Sequence, residues 1–154
     1  MLRIRAESSV TRGRAAIIKA YYLKNPHSDC PKEVLTVSLN EASNNPAYIL
    51  GRLFSVYEAV QQSANPGINT TIKDKYLTAA CETPPVVFPT LLKLAEKHLR
   101  KLDGGLKWIR EKQLHELTGK ITESFPKHLN MEDQGIFMLG YYHQTQARYT
   151  KKEN

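Results

Sequence analysis

Side chains that could act as acids, bases or metal ligands are few and widely separated. The histidines are His27, His98, His115, His128 and His143. His27 and Cys30 have the spacing HxxC, which supplies two ligands, whereas a structural zinc site usually takes four. The acidic pair Glu132 and Asp133 fits the first turn of a helix, where the helix dipole favours acids. Because the sequence also lacks HExxH, a glycine-rich phosphate loop and a nucleophile elbow, we expect no catalytic residues, no metal and no cofactor.

The cysteines and the apolar runs indicate the compartment. Cys30 and Cys81 form no CxxC pair, and we interpret them as the reduced thiols of a cytoplasmic protein. The N-terminal stretch MLRIRAESSV lacks the apolar segment of a secretory signal. No run approaches the roughly 20 apolar residues of a spanning helix. We therefore expect a cytoplasmic protein without a membrane partner.

Basic residues are the stronger chemical signal. The 154 residues contain 22 Lys and Arg against 15 Asp and Glu, for a net charge of +7. Residues 1–25 carry six bases and one acid, and residues 84–130 carry nine bases and five acids. This excess favours a surface that binds a polyanion such as nucleic acid. Solubility alone would also account for it.

The helix predicted after Pro89 concentrates four bases on the face opposite its apolar residues. These four form what we call the basic ridge: Lys93, Lys97, Arg100 and Lys101. A ridge of this length spans roughly 12 Å, so that two or three of its bases could meet phosphates along an extended single strand. A solvated helix face is the alternative interpretation.

Other bases join the predicted nucleic-acid-binding set. On the helix opened by Pro46, Arg52 falls opposite the apolar stripe, on a face shared with Tyr48, Ser55 and Ala59. That face suits base stacking or a helix–helix contact equally well. The first helix contributes three more predicted contacts: Arg12, Arg14 and Lys19.

Helices must position these basic residues, and the sequence contains repeated signals for helix starts and ends. Helix caps, prolines and a 3.6-residue periodicity of apolar residues predict six helices. These helices cover Ser9–Lys24, 46 to about 63, about 71–81, 84 to about 102, about 105–123 and about 131 to 149. A further short helix is placed near Lys32–Glu41. Leu91, Leu92 and Ala95 lie on the apolar face of the helix from 84 to about 102, and Leu106, Ile109 and Leu117 place the helix at about 105–123. We therefore expect residues 1–154 to form one all-α domain, a compact bundle of five to seven helices.

Three ordered blocks carry a family resemblance. They are NNPAYILGRLFSVYEAVQ (44–61), INTTIKDKYLTAACETPPVVFPTLLKLAEKHLRKL (68–102) and FPKHLNMEDQGIFMLGYYHQTQA (125–147). Together they resemble the carboxy-terminal region of the large subunit of subtype I-C CRISPR surveillance complexes (Cascade). The likeness continues upstream through RGRAAIIKAYYLKN (12–25), so that it covers nearly the whole chain.

The resemblance implies an identity and a role. Family large subunits are several times longer, and an internal translation start within their gene yields a separate small subunit; a chain of this length that begins at Met1 looks like that product. Such a small subunit is helical, is present in more than one copy, and lies beside the large subunit and the guide-RNA backbone subunits. It holds the displaced non-target DNA strand and stabilises the R-loop, while a separate nuclease cleaves. Two alternatives stay open: a purely structural protein–protein interaction module, and the large subunit's carboxy-terminal domain excised on its own.

Overall fold

Five α-helices account for most of the chain that can be described. The computed structural model describes residues 16, 17, 19, 20, 24, 38–121 and 125–150. The helices are α1 (Pro46–Ala64), α2 (Ile72–Glu82), α3 (Pro84–Leu99), α4 (Gly104–Lys120) and α5 (Met131–Thr150). No strand occurs within these ranges. The prediction of an all-α bundle is confirmed.

Local capping explains where the helices begin. The Asn45 side chain accepts hydrogen bonds from the backbone N–H groups of Ala47 (3.0 Å) and Tyr48 (3.3 Å), and Pro46 occupies the first turn of α1. The Asp74 carboxylate accepts from the backbone N–H of Thr71 at 2.8 Å. Each bond satisfies a backbone donor that has no partner within its helix. Asn130 caps α5 in the same way, through the backbone N–H of Asp133 at 2.8 Å.

Two glycines let α1 and α5 cross in close contact at the centre of the molecule. A Cβ atom at Gly51 would overlap the carbonyl oxygen of Phe137, and one at Gly140 would overlap the carbonyl oxygen of Tyr48. Around this crossing Phe54 lies edge-on to Tyr141, with ring centroids 5.9 Å apart. The crossing is therefore the centre of the hydrophobic core.

Polar side chains also pair across the α1–α5 crossing. The pairs are Tyr48 Oη with His143 Nδ1 (2.8 Å), Arg52 Nε with Gln144 Oε1 (2.9 Å), Ser55 Oγ with Thr145 Oγ1 (2.8 Å) and Tyr141 Oη with Glu58 Oε2 (2.6 Å). These bonds offset the desolvation of groups that would be costly to bury alone. They allow α1 to be buried from Ala47 to Gln61 without a solvent-facing side.

The remaining helices pack around this pair. Phe88 of α3 lies against Tyr57 of α1, with ring centroids 6.1 Å apart, and α2 packs mainly on α3. Gly104 has φ of 58° at the start of α4, a conformation that favours glycine. Only Leu117 of α4 is buried, so α4 lies at the periphery.

Several sequence expectations are wrong in detail. Leu92 was expected on the apolar face of its helix, but it is 47% exposed. Leu106 and Ile109, two of the apolar positions used to place α4, are 43% and 45% exposed. On α4 the reason is weak amphipathicity, because polar residues such as Arg110 and Gln113 share the face that carries its leucines. Residues 38–44, where a short helix was expected to end, form a bend and a turn.

The N-terminal part of the chain is described at few positions. Residues 16, 17, 19, 20 and 24 are helical, in agreement with the first predicted helix. The organisation of residues 1–154 as one domain stays a prediction. No helix among the described residues is long and apolar enough to span a bilayer.

Candidate nucleic-acid interface

The basic ridge lies on the outer face of α3 and on the two residues that follow it. Leu91, Ala95 and His98 are buried on the inner face. The side chains of Lys93, Lys97, Arg100 and Lys101 are all exposed. The sequence placed these four bases opposite the core, and the structure brings them together there. That they bind nucleic acid stays a prediction.

A hydrogen-bonded contact fixes the C-terminal end of the ridge to α1. Lys101 Nζ donates to Asn65 Oδ1 at 3.4 Å, and Asn65 Nδ2 lies 3.2 Å from His98 Nδ1. Because a lysine can only donate, the Asn65 oxygen faces Lys101 and its amide nitrogen donates to His98. His98 Nδ1 is therefore an acceptor, which makes the imidazole neutral and fixes its tautomer.

The positive charges of the ridge affect the pKa of a neighbouring side chain, His98. Burial lowers the pKa of His98, and the charges of Lys101 and Lys97 lower it further. One acid, Glu96, lies on the exposed side of the same helix, and its charge adds to the effect of burial in raising the pKa of Tyr57 to about 12. With four bases and one acid, this face can neutralise phosphates. It offers no arrangement of side chains that would read base edges.

The face that carries Arg52 was expected to serve either base stacking or a helix–helix contact, and the structure shows the helix–helix contact. Arg52 is 7% exposed, and its Nε donates to Gln144 Oε1 across the α1–α5 crossing. The physical reason is that α1 is enclosed by its neighbours on every side, so Tyr48, Ser55 and Ala59 are buried as well. A helical wheel drawn for one helix cannot show this, because the second helix that covers the polar face is distant in sequence.

The predicted bases of the first helix are only partly described. Lys19 is half-buried, and its charge contributes, after burial, to the lowered pKa of His143 on α5. It therefore lies near the α1–α5 pair. Arg12 and Arg14 fall outside the described residues.

Sequence reasoning missed a second basic site beneath α4. A cavity of about 440 Å³ is lined by Arg52 of α1, Arg110 of α4 and Arg148 of α5. Arg110 and Arg148 come from the two consecutive helices α4 and α5, and Arg52 comes from α1. A basic residue near a helix C-terminus, such as Arg148, is common because it interacts favourably with the helix dipole. Its position in the sequence therefore gives no indication of this site.

The candidate metal ligands and thiols of the sequence were also located in the structure, as far as the described residues include them. No group of three or more His, Cys, Asp or Glu residues there could hold a metal ion. Cys81 is buried, and its Sγ donates to the Gln134 carbonyl oxygen at 3.6 Å. His27 and Cys30 lie outside the described residues.

Comparison with known protein families gives a match over nearly the whole chain. A family model described as a CRISPR-associated protein (Cas_Csd1) matches residues 1–149. The matched range includes all five helices except the last residue of α5, and it includes the basic ridge. No curated protein matches the chain.

Proposed function

The chain belongs to the Cas_Csd1 family of CRISPR-associated proteins, and on that basis we propose that it is the small subunit of a subtype I-C CRISPR surveillance complex (Cascade). In this proposal the subunit is non-catalytic. It stabilises the R-loop by binding the displaced non-target DNA strand without reading its sequence, and it bridges neighbouring subunits. The observation that carries the proposal is the basic ridge, four exposed bases on one side of a helix whose opposite side is anchored in the core.

The energetics of R-loop formation explain why such a surface would matter. The RNA–DNA heteroduplex that forms is about as stable as the DNA duplex that is lost, so modest contacts decide the equilibrium. A base that neutralises a phosphate releases a condensed counterion, which favours binding at low and moderate salt. A ridge that captures the freed strand therefore shifts the equilibrium towards the open state for any sequence.

Protein contacts form the second part of the proposal. The partners are the large subunit, the guide-RNA backbone subunits and other copies of this chain. Large apolar side chains remain exposed on the described surface, among them Val86 (74%) and Met131 (84%). Contiguous exposed apolar surface favours protein contacts, and we propose that these side chains belong to such surfaces. They also favour the second candidate function, a purely structural module whose charge serves only solubility.

Charge reversal of the ridge separates the two candidates. We expect Lys93→Glu, Lys97→Glu and Arg100→Glu together to weaken R-loop formation, most clearly at moderate salt, while the complex still assembles. The reversed charges repel the displaced strand and leave the buried face of α3 unchanged. R-loop formation is measured by mobility shift and by chemical probing of unpaired bases in the displaced strand. Assembly is measured by size-exclusion chromatography.

The matched control reverses three exposed lysines elsewhere, namely Lys24, Lys75 and Lys127. This variant has the same net charge as the ridge variant and should form R-loops almost as well as the unmodified subunit. Equal loss in both variants would show that only net charge matters. Unchanged R-loop formation in the ridge variant would assign the chain to the purely structural candidate.

A further inference from the structure

Three arginines from three different helices converge on the cavity beneath α4. We call this cavity the arginine pocket and define it by Arg52, Arg110 and Arg148. Neutral amides hold two of the side chains: Arg52 Nε donates to Gln144 Oε1 at 2.9 Å, and Arg110 Nη1 donates to Gln113 Oε1 at 3.0 Å. Each guanidinium keeps further donors that these amides do not use.

The unused donors are buried. Among the described residues, four buried side-chain nitrogen or oxygen atoms have no hydrogen-bond partner, and all four belong to these arginines: Arg52 Nη1, Arg110 Nε, Arg148 Nε and Arg148 Nη1. Buried polar groups are nearly always satisfied, so each exception requires an explanation. That all four exceptions belong to arginines that line one cavity points to a shared acceptor.

Electrostatics favour an anion as that acceptor. The cavity is also lined by Lys112 and by the carboxylates of Glu41 and Glu116, so four bases face two acids and the lining carries a net charge of +2. Burial lowers the pKa of Arg52 although both carboxylates oppose the effect. Burial also lowers the pKa of Arg110, and the charge of Arg148 lowers it further. A bound anion would relieve the repulsion between Arg110 and Arg148.

An exposed aromatic ring beside the arginines indicates what carries the anion. Trp108 lines the pocket and is 63% exposed, with Lys112 Nζ 5.2 Å from its ring centroid. Indole rings offer stacking surfaces to nucleic-acid bases regardless of sequence. A volume of about 440 Å³ lies within the range of small-molecule sites and exceeds what a single carboxylate needs.

We propose that the arginine pocket binds a phosphate group of a single-stranded nucleic acid, whose base stacks on Trp108. A phosphate has enough acceptor oxygens to serve donors from several guanidinium groups at once, and arginine forks match its geometry. The proposal adds a site distinct from the basic ridge. It rests on the proposed function only in that the displaced strand would supply the phosphate.

The single tryptophan of the chain reports directly on this site. A thymidine trinucleotide, too short to require the ridge, is titrated into the isolated full-length chain, and Trp108 fluorescence is recorded at constant ionic strength. We expect saturable quenching, which inorganic phosphate reverses by competition. Because R-loops play no part in this measurement, its result is independent of whether the proposed function holds.

Paired variants test the residues. Arg110→Gln with Arg148→Gln should weaken trinucleotide binding at least tenfold, because both lose charged donors to phosphate. The control, Lys75→Gln with Lys127→Gln, removes the same charge from exposed positions outside the pocket and should bind like the unmodified chain. Circular dichroism checks folding. Should the double variant misfold, Arg110→Lys retains the charge but loses the planar fork, and it should still weaken binding several-fold.

Other outcomes overturn the proposal. Absence of quenching, equal weakening in the control, or unchanged binding by the pocket variants each contradicts a phosphate site at these arginines. A saturable response of Trp108 fluorescence to inorganic phosphate alone, without quenching by the trinucleotide, would limit the pocket to free phosphate. Stronger quenching by hexaglutamate than by the trinucleotide would assign the pocket to an acidic protein segment.

Discussion

Burial keeps His143 neutral in the folded protein. The imidazole is 2% exposed, Nδ1 lies 2.8 Å from the Tyr48 hydroxyl, and burial together with the nearby charge of Lys19 lowers its pKa to about 4. In the unfolded chain its pKa returns to about 6.5. Between these values the unfolded state binds a proton that the folded state does not.

This difference predicts how stability depends on pH. Linkage requires the free energy of unfolding to fall as the pH decreases from about 6.5 towards 4, by up to about 3 kcal/mol for His143. Above pH 6.5 the contribution is fully present. Urea denaturation at pH 7 and pH 4.5 measures the difference in the free energy of unfolding between these pH values. The substitution His143→Gln should reduce this difference. The part that remains is the smaller contribution of His98, whose pKa is also lowered.

The control for this prediction is His115→Gln. His115 is exposed, so its substitution should leave the pH dependence as it is in the unmodified chain. A pH dependence that His143→Gln does not change would show that other groups cause it.

Single residues also show where sequence reasoning was insufficient. Lys93 and Lys97 could be placed because the apolar residues of their own helix define the opposite face. Arg52 could not, because the side chains that cover it belong to α5 and its partner Gln144 has no local signature. Arg110 and Arg148 were missed for the same reason.

At the scale of elements, close approach of α1 and α5 depends on glycine at two positions. Alanine is ordinarily more favourable than glycine in a helix interior, by about 1 kcal/mol. At Gly51 the added Cβ would overlap the Phe137 carbonyl oxygen, and backbone atoms cannot move aside as a flexible side chain can. The helices would have to separate and lose core contacts.

We therefore expect Gly51→Ala to lower the free energy of unfolding by roughly 1–3 kcal/mol, the usual cost of overpacking. Chemical denaturation measures it. The matched control is Gly119→Ala on α4, where a Cβ would meet no atom within 4 Å, and this variant should be unchanged or slightly stabilised. Stabilisation by both substitutions would mean that the crossing does not depend on the absence of a Cβ at position 51.

The residues at which helices start could be predicted from the sequence, whereas the burial of each helix face could be predicted only in part. Asn45, Thr71 and Asn130 act through bonds to the next few residues, which a sequence pattern contains. The exposure of Leu106 and Ile109 depends on how far α4 stands from α1 and α5, which no local pattern specifies. The cavity beneath α4 follows from the same separation and was equally hidden.

At the scale of the whole molecule, the proposed origin of the chain can be tested in cells. The proposed assignment as a small subunit requires that the chain be made from an internal start codon within the large-subunit gene. Replacing that codon with a leucine codon in the same reading frame should remove the short product, while the long product persists. Both products are detected by immunoblotting with an antibody to the region that they share. Persistence of the short product would instead indicate proteolysis or another start.

The central claim is that the basic ridge binds the phosphates of the displaced strand. It is tested most directly by the salt dependence of R-loop formation in the assembled complex, with Lys93→Gln, Lys97→Gln and Arg100→Gln combined. Each lost phosphate contact should reduce the slope of log K against log salt by about 0.7, so that we predict a slope shallower by about 2 if all three bases bind. The matched variant Lys24→Gln, Lys75→Gln and Lys127→Gln should keep the unmodified slope. Identical slopes for the ridge variant and the unmodified complex would contradict the claim.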